Sequence, residues 1–153
     1  MRMTCAMIGC NVPETYDSVF KLRDKLIELL KEGYRNFIFT DADISSLIFA
    51  RILGVLKEDY PDIRRTIYTI SYGYYSEITE SDRDYFDAYV ELSQVPAHKD
   101  FSSEEMTSKE RLALEAICDS NYIIFFVSNS RLSEYDALMN FATSRNLPHE
   151  NFM

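Results

Sequence analysis

The sequence predicts an α/β fold: a Rossmann-like three-layer α/β/α sandwich with a mostly parallel sheet of five or six strands. Short runs of apolar and β-branched residues, typical of buried strands, alternate along the chain with longer segments in which apolar residues recur every three or four positions, as in amphipathic helices. The connections between successive strands are long enough to cross over the sheet, which favours parallel strands covered by helices on both faces.

Five strands and one short edge segment are predicted. Residues 122–127 (YIIFFV) form the most continuous apolar run, which is typical of a central strand covered on both faces. The tail from Asn146 is expected to add a short segment at an edge of the sheet. The other predicted strands are residues 4–8, 36–40, 65–70 and 88–92.

Four helices are predicted between and after these strands. Gly33 is the expected C-terminal stop of the first helix, Thr107 opens the third in a capping-box pattern, and Ser133 with Asp136 is expected to cap the fourth. Residues 82–87 are expected to form one helical turn. The predicted helices span residues 15–32, 43–59, 107–117 and 133–145.

Length and charge restrict both the domain count and the partners. A chain of 153 residues with 46% hydrophobic residues is the size of one domain with one core, so residues 1–153 are interpreted as a single domain. The 25 Asp and Glu against 16 Lys and Arg give a net charge of −9. This excess of negative charge disfavours unspecific binding to nucleic acid or to an anionic membrane surface.

The cysteine count and the apolar runs predict a cytoplasmic protein. Cys5, Cys10 and Cys118 are an odd number without a paired CxxC spacing, so neither a disulfide framework nor a thiolate zinc site is expected. No stretch approaches the ~18 consecutive apolar residues of a membrane span.

No cofactor or metal is expected either. The chain has four glycines in total, and they form neither the three-glycine dinucleotide fingerprint nor a P-loop. His98 and His149 are isolated in polar segments and lack the paired spacing of metal ligands.

Candidate ligand-binding residues are chosen by position, because ligands of parallel sheets bind beyond the carboxyl ends of the strands. They follow the first, second and central predicted strands. The candidates are Gly9, Cys10 and Asn11, then Thr40, Asp41, Asp43 and Ser46, and finally Ser128, Ser130, Ser133 and Glu134.

Each candidate has a functional and a purely structural interpretation. Asp41 and Asp43 can hold a ribose hydroxyl or a metal-bridged phosphate, although capping of the next helix is favoured. The three serines form an anion site at the start of the last helix or are solvated loop residues. Glu134 is a weak candidate for a general base or a ribose ligand. Cys10 is a nucleophile or, as favoured, an inert thiol.

Tyrosines cluster around the third and fourth strands and the loop between them. They could include a stacking platform for a base, but packing within the domain or against a second copy in a homodimer is the favoured interpretation. The cluster comprises Tyr68, Tyr72, Tyr74, Tyr75, Tyr85 and Tyr89.

Several segments resemble one protein family. Residues 4–13 (TCAMIGCNVP) resemble the TCAFTGHRP-type opening of YpsA-like proteins, a branch of the SLOG superfamily of Rossmann-like domains. Residues 33–38 (GYRNFI) are similar to the family's GYxxFI segment, and residues 50–61 keep its helix ending in LKxxYP. Residues 118–124 resemble the approach to the central strand, and residues 140–142 fall where the family has a helix ending in YA.

The ligand loops depart from the family pattern. Cys10-Asn11 replaces a His-Arg pair, residues 40–46 (TDADISS) replace GxAxGxD, and Ser133-Glu134-Tyr135 replaces a GGT-like turn. Glycines let backbone N–H groups approach phosphate oxygens, so side chains at the same places predict an altered pocket.

The resemblance implies ligands derived from nucleotides, since relatives are thought to bind or cleave such molecules. We therefore expect a domain that binds or senses a nucleotide-related small molecule through a diverged pocket, without evident catalysis. Two alternatives stay open. One is a phosphoribohydrolase-like enzyme that cleaves nucleoside monophosphates, with Glu134 as acid/base or ribose contact. The other is a non-catalytic protein-interaction domain, with a homodimer as one form of it.

Overall fold

The computed structural model describes residues 3–9, 16–40, 44–70, 85–92 and 108–152 of the chain. Six strands within these residues form one sheet, and they include all five predicted strands and the predicted edge segment. The strands are β1 (Met3–Gly9), β2 (Tyr34–Thr40), β3 (Arg64–Ile70), β4 (Ala88–Leu92), β5 (Tyr122–Phe126) and β6 (His149–Asn151).

Four α-helices lie in the described part of the chain, close to the predicted positions. Gly33 ends the first helix with a φ of 109°, a conformation that favours glycine, as the sequence predicts. A short 3₁₀ helix, Asn129–Arg131, leads into the last one. The helices are α1 (Tyr16–Glu32), α2 (Ile44–Leu56), α3 (Ser108–Cys118) and α4 (Leu132–Ser144).

Every neighbouring pair of strands is parallel, in the order β4-β3-β2-β1-β5-β6. The chain starts at β1 in the middle of the sheet and builds outward to β4. It then returns to the other side of β1 with β5 and ends the sheet with β6. This arrangement confirms the predicted Rossmann-like α/β fold and makes the described sheet parallel throughout.

Helices cover both faces of the sheet. In β1, Cys5 and Met7 pack in the core under α1 and α2, whereas Ala6 and Ile8 pack in a second core under α3 and α4. All five residues of β5 are buried, because this strand has a strand on each side and a core on each face. The three layers therefore follow from the period-two alternation of apolar side chains along the central strands.

Several element boundaries differ from the sequence prediction by one to three residues, and one predicted turn is not helical in its described part. Helix α2 ends at Leu56 rather than at residue 59, because the N–H groups of Glu58 and Asp59 turn back onto Val55 and Leu56. Residues 85–87, the described part of the predicted turn at 82–87, are not helical. Strand β5 stops at Phe126, one residue early, because the next residue pairs with a side chain instead of a strand.

The predicted cap of the last helix is wrong. Arg131 occupies the N-cap position of α4, no side chain caps the helix there, and Ser133 lies inside the first turn. The preceding 3₁₀ turn ends with the Arg131 N–H donating to the Ser128 carbonyl oxygen at 2.9 Å, and the N-cap position lies two residues before the predicted one. The cap predicted at Thr107 lies outside the described residues.

A buried arginine joins β3, β4 and α2 at the amino edge of the sheet. Arg65, 9% exposed, donates to both carboxylate oxygens of Asp87 at 3.0 and 3.2 Å and to the Ala50 carbonyl oxygen at 3.0 Å. Lys57 also contacts the carboxylate, at 2.8 Å. A Cβ on Gly54 would lie 2.9 Å from Nη1 of Arg65, so the glycine makes room for the guanidinium.

No helix in the described ranges combines the length and the apolar character needed to cross a lipid bilayer.

Candidate ligand site at the carboxyl edge of the sheet

Strands β1 and β5 are adjacent at the point where the strand order reverses. Gly9 pairs in register with Phe126, so the two strands end side by side at the carboxyl edge of the sheet. From β5 the chain continues into α4 on one face, whereas α1, which follows β1 in the chain, covers the other face. Such a reversal opens a crevice between the departing chains, which is where ligands of open α/β sheets bind.

Gly9 is packed tightly against β5. An added Cβ at this position would lie 2.9 Å from Cβ and 3.0 Å from the carbonyl oxygen of Phe126. Cβ atoms in proteins rarely lie this close to other heavy atoms. Phe126 belongs to a fully buried strand, which cannot move aside easily. The structure therefore supports a packing role for Gly9, which brings β1 and β5 together below the edge.

The turn after β5 presents two hydroxyl groups. Oγ of Ser128 and Oγ of Ser130 are hydrogen-bonded to each other at 3.1 Å, and Ser130 is exposed. Hydroxyl groups both donate and accept hydrogen bonds, so this pair can bind an oxygen-rich ligand without adding charge. The two serines predicted from the sequence as part of an anion site are thus brought together.

The first turn of α4 follows directly and carries the positive end of the helix dipole. No side chain caps the helix at Arg131, and the Arg131 N–H itself donates to the Ser128 carbonyl oxygen in the preceding 3₁₀ turn. Ser133 and Glu134 lie in this first turn and are exposed. The helix dipole favours negative charge at this end of α4. The side chain of Ser133 is not the cap, and the anion site stays a prediction.

Glu134 forms an ion pair with Arg131. Nε of Arg131 donates to Oε2 of Glu134 at 2.8 Å, and both side chains are about half exposed. Sequence reasoning singled out Glu134 but missed Arg131, which has no motif around it. Its position three residues before a predicted helical glutamate is the one signal that could have identified the pair.

The second strand contributes less to the described site. Thr40 ends β2, one strand away from β1, and is partly exposed. Ser46 is buried in α2 at 6% exposure. The remaining predicted site residues, Cys10, Asn11, Asp41 and Asp43, lie outside the described residues.

The described cysteines are free thiols with low reactivity. Cys5 is fully buried, and this burial raises its pKa. Burial also raises the pKa of Cys118 to about 11. Both thiols are therefore protonated near neutral pH, where the thiolate would be needed for nucleophilic attack.

The described tyrosines of the predicted cluster do not share one surface. Tyr68 is buried in the core under α3 and α4, whereas Tyr85 packs on the opposite face of the sheet. Tyr89 is 40% exposed and contacts the ring of Phe86. Tyr72, Tyr74 and Tyr75 lie outside the described residues, and the homodimer stays a prediction.

Fold and edge together define a doubly wound α/β protein with a candidate ligand crevice at its strand-order reversal. The sequence matches no protein-family model, and it matches no curated protein. The resemblance to YpsA-like SLOG domains stays a prediction from the sequence.

Proposed function

We propose that this protein binds a nucleotide-related anionic small molecule at the carboxyl edge between β1 and β5. The observation that carries the proposal is the convergence of three features at one place. The strand order reverses there, the turn after β5 presents the hydroxyl pair of Ser128 and Ser130, and α4 begins without a side-chain cap. Phosphate and carboxylate groups bind to such helix starts through N–H groups and the helix dipole.

Binding is favoured over catalysis by the state of Glu134. The carboxylate predicted as acid/base is engaged by Arg131 at 2.8 Å, and the pair lies at the exposed start of α4. A carboxylate in this pair is suited to orient Arg131 toward an anion or to accept a hydrogen bond from a ribose hydroxyl. The YpsA-like resemblance supports the same ligand class.

Thermal-shift measurements test the proposal directly. The protein is titrated with nucleoside mono-, di- and triphosphates and with ADP-ribose derivatives. A member of this panel should raise the melting temperature in a saturable manner, by about 5 °C or more when its concentration reaches about a hundred times the dissociation constant. A flat response across the whole panel would contradict the proposed ligand class.

Two charge variants at α4 locate the site. Ser130→Asp adds a carboxylate at the turn before α4 and should weaken binding of the stabilising nucleotide at least about tenfold through repulsion and loss of the hydroxyl. Asn140→Asp makes the same addition at an exposed position further along the helix and should leave affinity within about twofold. Equal affinities in the two variants would place the ligand elsewhere.

A further inference from the structure

The side chain of Asn151 completes the sheet beyond the end of β5. The Val127 N–H donates to Oδ1 of Asn151 at 3.0 Å, and Nδ2 of Asn151 donates to the Val127 carbonyl oxygen at 2.9 Å. One carboxamide thus satisfies both main-chain polar groups of Val127. The last main-chain bond of this ladder is the Phe152 N–H to the Phe125 carbonyl oxygen at 2.9 Å, so the asparagine side chain adds one further rung.

Val127 directly precedes the turn Ser128–Arg131 of the candidate site. It is fully buried, and Ser128, the first residue of the hydroxyl pair, follows it directly. On the other side of β5, Gly9 packs against Phe126. The end of the central strand is therefore held from β1 on one side and from β6 on the other.

We infer that Asn151 is a positioning residue for the turn Ser128–Arg131, which it holds in place by fixing both main-chain polar groups of Val127. The inference deepens the proposed function, because this turn is part of the proposed site. Asparagine suits the role since its short side chain carries an acceptor and a donor side by side. Aspartate keeps the acceptor and loses the donor, and leucine, of similar size, loses both.

Amide hydrogen exchange followed residue by residue by NMR tests this role without any ligand. In Asn151→Leu, the Val127 amide should exchange at least about tenfold faster than in the wild type, while the amides of Ile123 and Ile124 keep their protection. A general loss of stability would accelerate all three amides together. In Asn151→Asp the carboxylate still accepts from the Val127 N–H but sets its second oxygen against the Val127 carbonyl oxygen, so this amide should exchange at a rate between those of the wild type and Asn151→Leu. Asn140→Leu serves as the matched control on an exposed asparagine.

The binding arm uses the nucleotide that gives the largest thermal shift. At a temperature where the variant is folded, Asn151→Leu should lower the affinity for this nucleotide at least about fivefold. Asn140→Leu should leave this affinity unchanged. Unchanged Val127 exchange in Asn151→Leu, or unchanged affinity despite faster exchange, would overturn the positioning role. If the wild type binds none of the nucleotides, the proposed function fails, and the exchange arm still decides whether Asn151 holds the turn.

Discussion

Asp87 is the residue on which the amino edge of the sheet most depends. Asp87→Asn removes the carboxylate that pairs with two guanidinium nitrogens of buried Arg65 and with Lys57. The free energy of unfolding should fall by about 2 kcal/mol, since Arg65 keeps its charge and loses its counter-ion. Chemical denaturation measures this change. Asp62→Asn, which breaks the exposed pair with Arg35, should cost less than about 1 kcal/mol.

The same carboxylate gives stability a defined dependence on pH. Burial alone would raise the pKa of Asp87, but hydrogen bonds from Arg65 and Lys57 outweigh it and lower the pKa from 3.8 to about 2. A group whose pKa is lowered by folding stabilises the native state above its unfolded pKa and loses this effect in acid. The stability difference between the wild type and Asp87→Asn should therefore be full above about pH 4 and shrink as pH falls toward 2. A difference that stays constant across this range would contradict the ion pair.

Tyr68 supplies a second test of a single polar contact. Its hydroxyl donates to Oδ2 of Asp119 at 2.7 Å, and burial together with this carboxylate raises the pKa of the phenol. Tyr68→Phe keeps the buried ring and removes the hydrogen bond, so it should lower the free energy of unfolding by about 1 to 2 kcal/mol. Tyr60→Phe is the control, because Arg35 contacts the ring of Tyr60 and that contact survives; its effect should stay within about 0.5 kcal/mol. Equal effects of both variants would refute the role of the hydroxyl.

Alanine substitutions at Gly9 in β1 and Gly54 in α2 compare crowding against main chain with crowding against the end of a side chain. Gly9→Ala drives a methyl group into the main chain of Phe126 and should destabilise the fold by about 2 kcal/mol, because β1 would have to move away from β5. In Gly54→Ala the methyl group would lie 2.9 Å from Nη1 of Arg65, at the end of a side chain rather than against main chain, and the better helix propensity of alanine offsets part of the cost of moving this guanidinium. The melting temperature of Gly54→Ala should be well above that of Gly9→Ala. The reverse order would show that β1 and β5 are not held at this distance.

Elements with a complete local signal could be predicted from the sequence. Strand β4 matches its predicted bounds, and α1 with its stop at Gly33 follows from apolar periodicity and a glycine at a positive φ. The start of α4 was misplaced because Ser133 has the side chain of a cap but lies inside the first turn, which the 3₁₀ turn of the preceding residues determines. Caps depend on backbone conformation as well as on residue type.

The sequence indicated which residues follow the strands of the candidate site, but not which side chains contact one another there. Ser128 and Ser130, chosen because they follow a predicted strand, do lie together at the carboxyl edge. The contributions of Arg131 and Asn151 could not be predicted, because one acts through an ion pair within a helix turn and the other through contacts 24 residues away in sequence. Long-range contacts between polar side chains and main chain leave no periodic pattern.

At the scale of the whole molecule, the two edges of the described sheet differ in their polar contacts. At the amino edge, the partly buried contacts of Arg65 with Asp87 and with the Ala50 carbonyl oxygen tie strands and a helix together. The carboxyl edge between β1 and β5 holds exposed hydroxyls and an uncapped helix start above a tightly packed strand pair. The proposed ligand site therefore lies at the edge where ligands of doubly wound α/β domains bind, opposite the edge that carries the Arg65–Asp87 ion pair.

Chemical-shift mapping of the ¹⁵N-labelled protein during titration with the most stabilising nucleotide is the most direct test of binding at the carboxyl edge. Binding at this edge should produce saturable shifts that are largest for Gly9 and residues 128–134 and small for Arg65 and Asp87. Saturable shifts centred on the amino edge, or spectra that no nucleotide of the panel changes, would contradict it.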